Sequence, residues 1–73
     1  MRTQYRKVDE YGTKSYYLDK EMTILHREGG PAIELKDGTK FWFINGKVHR
    51  EDGPAIELNT GSEIWCINGY SVK

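Results

Sequence analysis

The sequence offers little from which a covalent or metal-bound scaffold could be built. Cys66 is the only cysteine among the 73 residues, and the two histidines form no Cys/His ligand pattern, so we expect neither an internal disulfide nor a metal site. An apolar run of membrane-spanning length and a signal-peptide pattern are also missing. An unpaired cysteine suits a reducing compartment, which favours a cytoplasmic protein without a membrane segment.

An excess of one charge is also lacking. The 11 Lys and Arg residues balance the 11 Asp and Glu residues, which argues against a general nucleic-acid binder because such binders rely on net positive charge. Aromatic residues are plentiful, with five Tyr, two Phe and two Trp, and they favour strands. A domain this short buries only ~60% of its unfolded surface, so we expect a thin core.

A 23-residue repeat organises most of the chain. The segment from His26 reads HREGGPAIELKDGTKFWFINGKV and the segment from His49 reads HREDGPAIELNTGSEIWCINGYS, with 14 of 23 positions identical. A degenerate copy precedes them, because a glycine, an aromatic and an aliphatic residue keep the same spacing: Gly12, Tyr16 and Leu18 against Gly38, Trp42 and Ile44. We therefore predict one domain, 1–73, with a degenerate repeat at about 4–25 and repeats at 26–48 and 49–71.

Turn signals divide each repeat into short strands. Asn-Gly at 45–46 and 68–69 is the strongest hairpin signal, because both central residues of a type I′ turn need positive φ. Asp37-Gly38 and Thr60-Gly61 mark a second turn in each repeat, and no segment has a helical period. These signals predict an all-β fold, an antiparallel meander of hairpin repeats, with strands near 4–8, 14–18, 24–27, 32–35, 40–44, 47–50, 55–58, 63–67 and 70–72.

The turns also predict which side chains share a face of the sheet. Two-residue turns at 37–38 and 45–46 would place Ile33, Trp42 and His49 in one row and Glu34, Phe41 and Arg50 in a row on the other face. We expect the tryptophan face to be the core. The second face would keep an exposed apolar patch, which predicts an interaction surface or self-association through that face or an edge strand.

The motif W-x-I-N-G-x-x-H-R-E-D-G-P-A, which runs from Trp42 to Ala55, resembles a short repeat of small phage and giant-virus proteins. It is more loosely similar to MORN-type repeats, which have a comparable period and stack as β-hairpins. The resemblance covers roughly residues 12 to 73 and implies a viral origin. It also implies a protein that blocks a host protein, including one of a defence system such as CRISPR, restriction or cyclic-nucleotide signalling.

The two His-Arg-Glu segments are the most prominent chemical feature. Imidazole and guanidinium groups at His26, Arg27, His49 and Arg50 would suit an anion such as a phosphate or carboxylate. In the structural alternative, His49 packs beside Trp42 and hydrogen-bonds the adjacent loop, while Arg50 pairs with Glu34 or Glu51. Because a device that recurs in every hairpin usually holds the hairpin together, we favour the structural alternative.

Enzymatic and nucleic-acid functions have weaker support. Cys66 occupies the position of Phe43 in the preceding repeat, which is typical of a core or interface residue rather than a nucleophile. The carboxylates Glu34 and Glu57 repeat without a paired acid. The aromatic residues Phe41, Phe43, Tyr16 and Tyr17 would suit stacking on single-stranded bases, but such rings more often serve a core or a protein interface.

We therefore predict a non-enzymatic phage accessory protein that inhibits a host protein by binding it, with no catalytic residue, cofactor or metal. Sequestration of a small anionic or nucleotide ligand and single-stranded nucleic-acid binding are the alternatives, and a homodimer is a further expectation. The interface residues that we predict are Tyr17, Phe41, Phe43, Arg50, Glu51, Asp52 and Ile64.

Overall fold

The computed structural model describes residues 4–72, and they form only strands, turns and loops. The predicted all-β, antiparallel fold is confirmed. Positions 1–3 and 73 of the predicted domain lie outside the described residues. The strands are β1 (Tyr5–Val8), β2 (Lys14–Tyr17), β3 (Ile33–Glu34), β4 (Lys40–Phe41), β5 (Phe43–Ile44), β6 (Lys47–Val48), β7 (Ile56–Glu57), β8 (Glu63–Ile64), β9 (Cys66–Ile67) and β10 (Tyr70–Ser71).

Most strands belong to one six-stranded sheet in the order β1-β2-β3-β4-β7-β8, with every neighbouring pair antiparallel. The hairpins β5-β6 and β9-β10 form two smaller ladders beside it. The predicted strands at 40–44 and 63–67 are interrupted at Trp42 and Trp65, and the strand predicted at 24–27 is reduced to one bridge between Tyr17 and Leu25. The described part of the chain holds no helix that could cross a membrane.

The two Asn-Gly turns have the predicted type I′ geometry. Asn45 and Asn68 have φ angles of 51° and 50°, and the glycines that follow them have φ angles of 80° and 86°. In the first hairpin Phe43 pairs with Val48, which is the register that a two-residue turn gives. The requirement for positive φ at two consecutive residues therefore determines these hairpins, and their prediction from the Asn-Gly pairs is confirmed.

The turn at 37–38 is longer than predicted, and the predicted faces are wrong as a result. The Leu35 N–H donates to the Thr39 carbonyl at 2.9 Å, which leaves three residues in the loop, and Ile33 pairs with Phe41 instead of Trp42. Glu34 pairs with Lys40. A slip of one residue moves every side chain to the opposite face.

The aromatic and aliphatic side chains redistribute accordingly. Phe41 now lies in a row with isoleucines, while Trp42 shares the face of the glutamates. The isoleucine row is formed by the paired residues Ile33, Phe41, Ile56 and Ile64. The row on the other face is formed by Lys14, Glu34, Lys40, Glu57 and Glu63.

The core is thin and built from small side chains. Ala32 and Ala55 are fully buried and Cys66 is 5% exposed, whereas Trp42 and Trp65 are only partly buried. The prediction of a tryptophan core is therefore wrong. The alanines lie beside aromatic residues across the sheet, because the Tyr16 N–H donates to the Ala32 carbonyl and the Trp42 N–H donates to the Ala55 carbonyl, each at 2.8 Å.

Each Asn-Gly hairpin docks on the segment that precedes it by 21 residues. The Gly46 N–H donates to the Leu25 carbonyl at 2.8 Å, and the Gly69 N–H donates to the Val48 carbonyl at the same distance. The N–H groups of Arg27 and Arg50 donate in the opposite direction, to the carbonyls of Phe43 and Cys66, at 3.1 Å each. These bonds place the His-Arg-Glu segments between consecutive hairpins.

Candidate functional site

The first element of the site is a pair of histidines that hold the Asn-Gly turns. The Asn45 N–H donates to Nδ1 of His26 at 2.9 Å, and the Asn68 N–H donates to Nδ1 of His49 at 3.0 Å. Because Nδ1 accepts, the ring proton lies on Nε2, which faces the carboxylates of Glu28 and Glu51 at 3.3 and 3.5 Å. Each imidazole therefore serves as the acceptor for a turn N–H that the hairpin itself leaves without a partner.

The second element is an arginine held flat against an aromatic ring. The guanidinium carbon of Arg27 lies 4.0 Å from the centroid of the Tyr16 ring, and its Nη1 donates to the Pro31 carbonyl at 3.1 Å. The same nitrogen lies 3.4 Å from a Glu34 oxygen. On its other side the guanidinium packs against Gly30, where a Cβ atom would come within 2.9 Å of it. Ring, guanidinium and glycine form a stack that fixes the arginine.

Arg50 makes the same stack 23 residues later. Its guanidinium carbon lies 4.0 Å from the centroid of the Trp42 ring, and Nη1 contacts the Pro54 carbonyl at 3.1 Å and Glu57 at 3.4 Å. Nε contacts Asp52 at 3.1 Å. The partners that the sequence predicted for Arg50, Glu34 or Glu51, are therefore wrong, because β7 pairs with β4 and so brings Glu57 beside Trp42 and Arg50.

A groove of about 430 Å³ opens between the two His-Arg-Glu segments. We call it the corner groove. Trp42 and Ile44 provide its apolar surface, and the remaining lining residues are charged or polar. The full lining consists of Arg27, Glu28, Trp42, Ile44, His49, Arg50, Glu51 and Asp52.

The carboxylates of the corner groove are open to solvent and the guanidinium groups are not. The side chains of Glu28, Glu51 and Asp52 are 71%, 82% and 89% exposed. Those of Arg27 and Arg50 are 28% and 25% exposed, and both donate to protein carbonyls and carboxylates. A ligand that enters the groove therefore meets negative charge first.

Three of the four predicted anion residues, Arg27, His49 and Arg50, line the corner groove. His26 does not, because it is 5% exposed and lies beneath the first hairpin. Of the predicted interface residues, Arg50, Glu51 and Asp52 line the groove as well. The others lie outside it and are partly buried: Tyr17, Phe41, Phe43 and Ile64.

Sequence reasoning missed that Trp42 and Ile44 belong to this site. The signal was present, because an aromatic residue stands ten residues before the first His-Arg pair, at Tyr16, and seven residues before the second, at Trp42. Only the observed register shows that these rings lie under the arginines. Cys66 is buried, and residues 4–72 bring together no three His, Cys, Asp or Glu side chains that could hold a metal ion.

No protein-family model, curated protein or solved structure matches the chain. What the corner groove binds must therefore be inferred from its own side chains.

Proposed function

We propose that the chain is a non-enzymatic binding protein that docks on another protein through the corner groove. The observation that supports this most is the combination of an apolar surface, Trp42 and Ile44, with a rim of exposed carboxylates. Aromatic residues are enriched among the residues that dominate the energy of protein interfaces. A rim charge speeds association and selects a partner of opposite charge.

The partner that fits this groove is a basic protein segment with an apolar side chain. The apolar side chain would cover Trp42, and lysine or arginine side chains beside it would meet Glu51 and Asp52. The resemblance of the motif to phage and giant-virus repeats supports a host protein as the target, with inhibition of a host defence system in the cytoplasm as the outcome. An anti-CRISPR role is one form of this proposal.

Charge reversal at the rim tests the proposal. Host proteins captured by the intact chain are identified, and the affinity of the captured partner is then measured for a Glu51→Lys/Asp52→Lys variant. We expect the affinity to fall at least ~10-fold, mainly through a slower association rate that depends on salt. A matched Glu10→Lys/Glu21→Lys variant, which changes the same charge at exposed positions outside the groove, should bind as well as the original chain.

The same variants separate this proposal from anion sequestration. If the groove binds a nucleotide, removal of the two rim carboxylates should strengthen binding, because the anion would no longer meet negative charge. Calorimetry with a panel of signalling nucleotides measures this directly. Equal affinity of the rim variant and the control variant for the captured protein would show that the partner binds elsewhere on the chain.

A further inference from the structure

The six-stranded sheet ends in two edges of opposite charge. Within residues 4–72, β1 and β8 each have one neighbouring strand, β2 and β7 respectively. The outer strand β1 has the sequence YRKV, with Arg6 and Lys7, whereas β8 carries Glu63. An open edge presents backbone N–H and C=O groups that can pair with another strand.

The backbone groups that point outward can be assigned from the hydrogen bonds that point inward. The Asp9 N–H donates to the Thr13 carbonyl on β2's side, so by the alternation of antiparallel pairs the N–H groups of Val8 and Arg6 point away from β2. On the other edge the Leu58 N–H donates to the Ser62 carbonyl. By the same alternation, the backbone N–H and C=O groups of Glu63 point away from β7.

The sheet already contains two junctions of the kind that β8 and β1 would form. In each, a strand in the repeat position of β8 pairs with a strand in the repeat position of β1. Strand β2 meets β3 with Lys14 opposite Glu34, and β4 meets β7 with Lys40 opposite Glu57. Both junctions have the same register, and the second is the first repeated one repeat later in the sequence. The intramolecular sheet thus shows how such edges fit together.

Strand β1 is the equivalent of β3 and β7. The turn that follows it has the Gly12 N–H donating to the Asp9 carbonyl, as the Gly38 N–H donates to the Leu35 carbonyl after β3. Strand β8 is the equivalent of β4. If the internal register is continued, Glu63 of one copy lies opposite Val8 of a second copy, and Ile64 lies opposite Lys7 of that copy.

Charge favours the pairing of β8 with β1 over the pairing of two copies through the same edge. Along the charged row Lys14, Glu34 and Lys40 alternate in sign, but the row ends with two glutamates, because Glu57 pairs directly with Glu63. Like charges directly opposite each other are destabilising. In the continued register Arg6 of a second copy lies diagonal to Glu63, within reach of a long side chain. Pairing β1 with β1, or β8 with β8, would instead bring like charges together.

Exposed apolar side chains also lie at these two edges. Val8 in β1 is 52% exposed, and Val72, whose N–H donates to the Trp65 carbonyl beside β8, is 57% exposed. The balanced charge of the whole chain, 11 positive and 11 negative residues, leaves no net repulsion between copies.

We propose that copies of this chain associate head-to-tail, with the β8 edge of one copy pairing with the β1 edge of the next. Such a heterologous contact does not close on itself in a dimer, so it produces chains or a ring. In the repeat alignment, Arg6 occupies the position of Ala32 and Ala55, which are fully buried at the internal junctions. Because an arginine is much larger than an alanine, the contact between copies packs less closely than an internal junction. The association is therefore weak and depends on charge.

The test is a charge swap across the two edges, read by sedimentation velocity at low salt over a range of concentrations. The original chain should form a series of species that shifts to larger sizes with concentration and returns toward monomer when salt is added. Arg6→Glu and Glu63→Arg should each weaken self-association by about tenfold. The Arg6→Glu/Glu63→Arg double variant should restore it, because the opposite charges face each other again.

Lys47→Glu and Glu21→Arg are the matched controls, since both positions are exposed and lie outside the edge strands β1 and β8 and outside the lining of the corner groove. They should associate like the original chain, and thermal unfolding confirms that every variant is folded. A folded chain that stays monomeric at all concentrations would overturn the proposal. So would a double variant that stays as dissociated as the single ones, or an association that the edge charges do not affect.

Discussion

The two full repeats, 26–48 and 49–71, make the same contacts through their histidine and arginine, but the residues around these contacts differ. In both, the histidine accepts an N–H from the next Asn-Gly turn and the arginine stacks on an aromatic ring at 4.0 Å. The ring is Tyr16 in one case and Trp42 in the other. What the repeats share thus supports the backbone, whereas the residues that differ, such as Gly29 against Asp52, change the charge that the surface presents.

The histidines offer the strongest way to break this equivalence. His26→Ala should destabilise the fold by about 2–3 kcal/mol, because the Asn45 N–H loses its acceptor in a buried site. His49→Ala should have a smaller effect, since its side chain is 15% exposed against 6% for His26, and water can replace the imidazole. Urea unfolding followed by tryptophan fluorescence measures both free energies.

Equal losses for the two histidine variants would contradict the ranking by burial. Glu28→Ala provides the matched control, because its exposed carboxylate meets the Nε2 side of the His26 imidazole, whereas Nδ1 accepts the turn N–H. A domain of this size has only a few kcal/mol of stability, so His26→Ala should populate the unfolded state measurably.

The glycine next to each arginine provides a second, smaller test. Gly53→Ala would place a Cβ within 2.7 Å of the Arg50 guanidinium carbon and should displace it from the Trp42 ring, for a loss of about 1–2 kcal/mol. The loss should disappear in an Arg50→Ala background, where no guanidinium remains to be displaced. A loss that persists in that background would mean that the backbone at Gly53, rather than the stack, is what alanine disturbs.

The second turn of each repeat gives the smallest expected difference. The Thr39 N–H and hydroxyl bond the Asp37 carboxylate and hold its pKa below its ordinary value of 3.8, whereas Thr60 occupies that position in the next repeat. A depressed pKa adds stability above pH 3.8, and that contribution is lost as the pH falls through the folded-state pKa.

Thermal unfolding of an Asp37→Asn variant between pH 7 and pH 2 measures this contribution. The variant should lose less of its melting temperature on acidification than the original chain. Asp19 is a parallel case, since its hydrogen bonds with the Thr23 hydroxyl and with the N–H groups of Thr23 and Ile24 lower its pKa as well. An unchanged pH profile in Asp37→Asn would assign the acid sensitivity to other carboxylates.

The parts of the fold that local chemistry determines were predictable from the sequence. Asn45-Gly46 requires positive φ at both residues, and the hairpin follows from it. Asp37-Gly38 suits a two-residue or a three-residue loop, because Gly38 at φ 98° fits the left-handed position of the longer one. Only packing between strands decides between the two loops, so the register of Ile33 and the faces of the sheet could not be read locally.

The candidate site was predictable to the same extent. The His-Arg-Glu segments were identified as chemical features, and the structure places His49 against the adjacent turn. The Trp42 ring beneath Arg50 was not predicted, because the predicted faces placed Trp42 and Arg50 on opposite sides of the sheet. The corner groove combines residues that lie up to 25 positions apart, Arg27 and Asp52 among them, so no single motif could reveal it.

The stack of ring, guanidinium and glycine has a consequence for how the chain unfolds and how its length can change. Arg50 needs the Trp42 ring of the unit before it, and the Asn-Gly turn that His49 holds donates its Gly69 N–H to Val48 of that preceding unit, so the unit does not complete its contacts alone. Unfolding should therefore be a single cooperative event rather than a sequence of melting units. An inserted copy of 23 residues could make with both neighbouring repeats the contacts that the existing repeats already make. The array can therefore lengthen without a new type of interface.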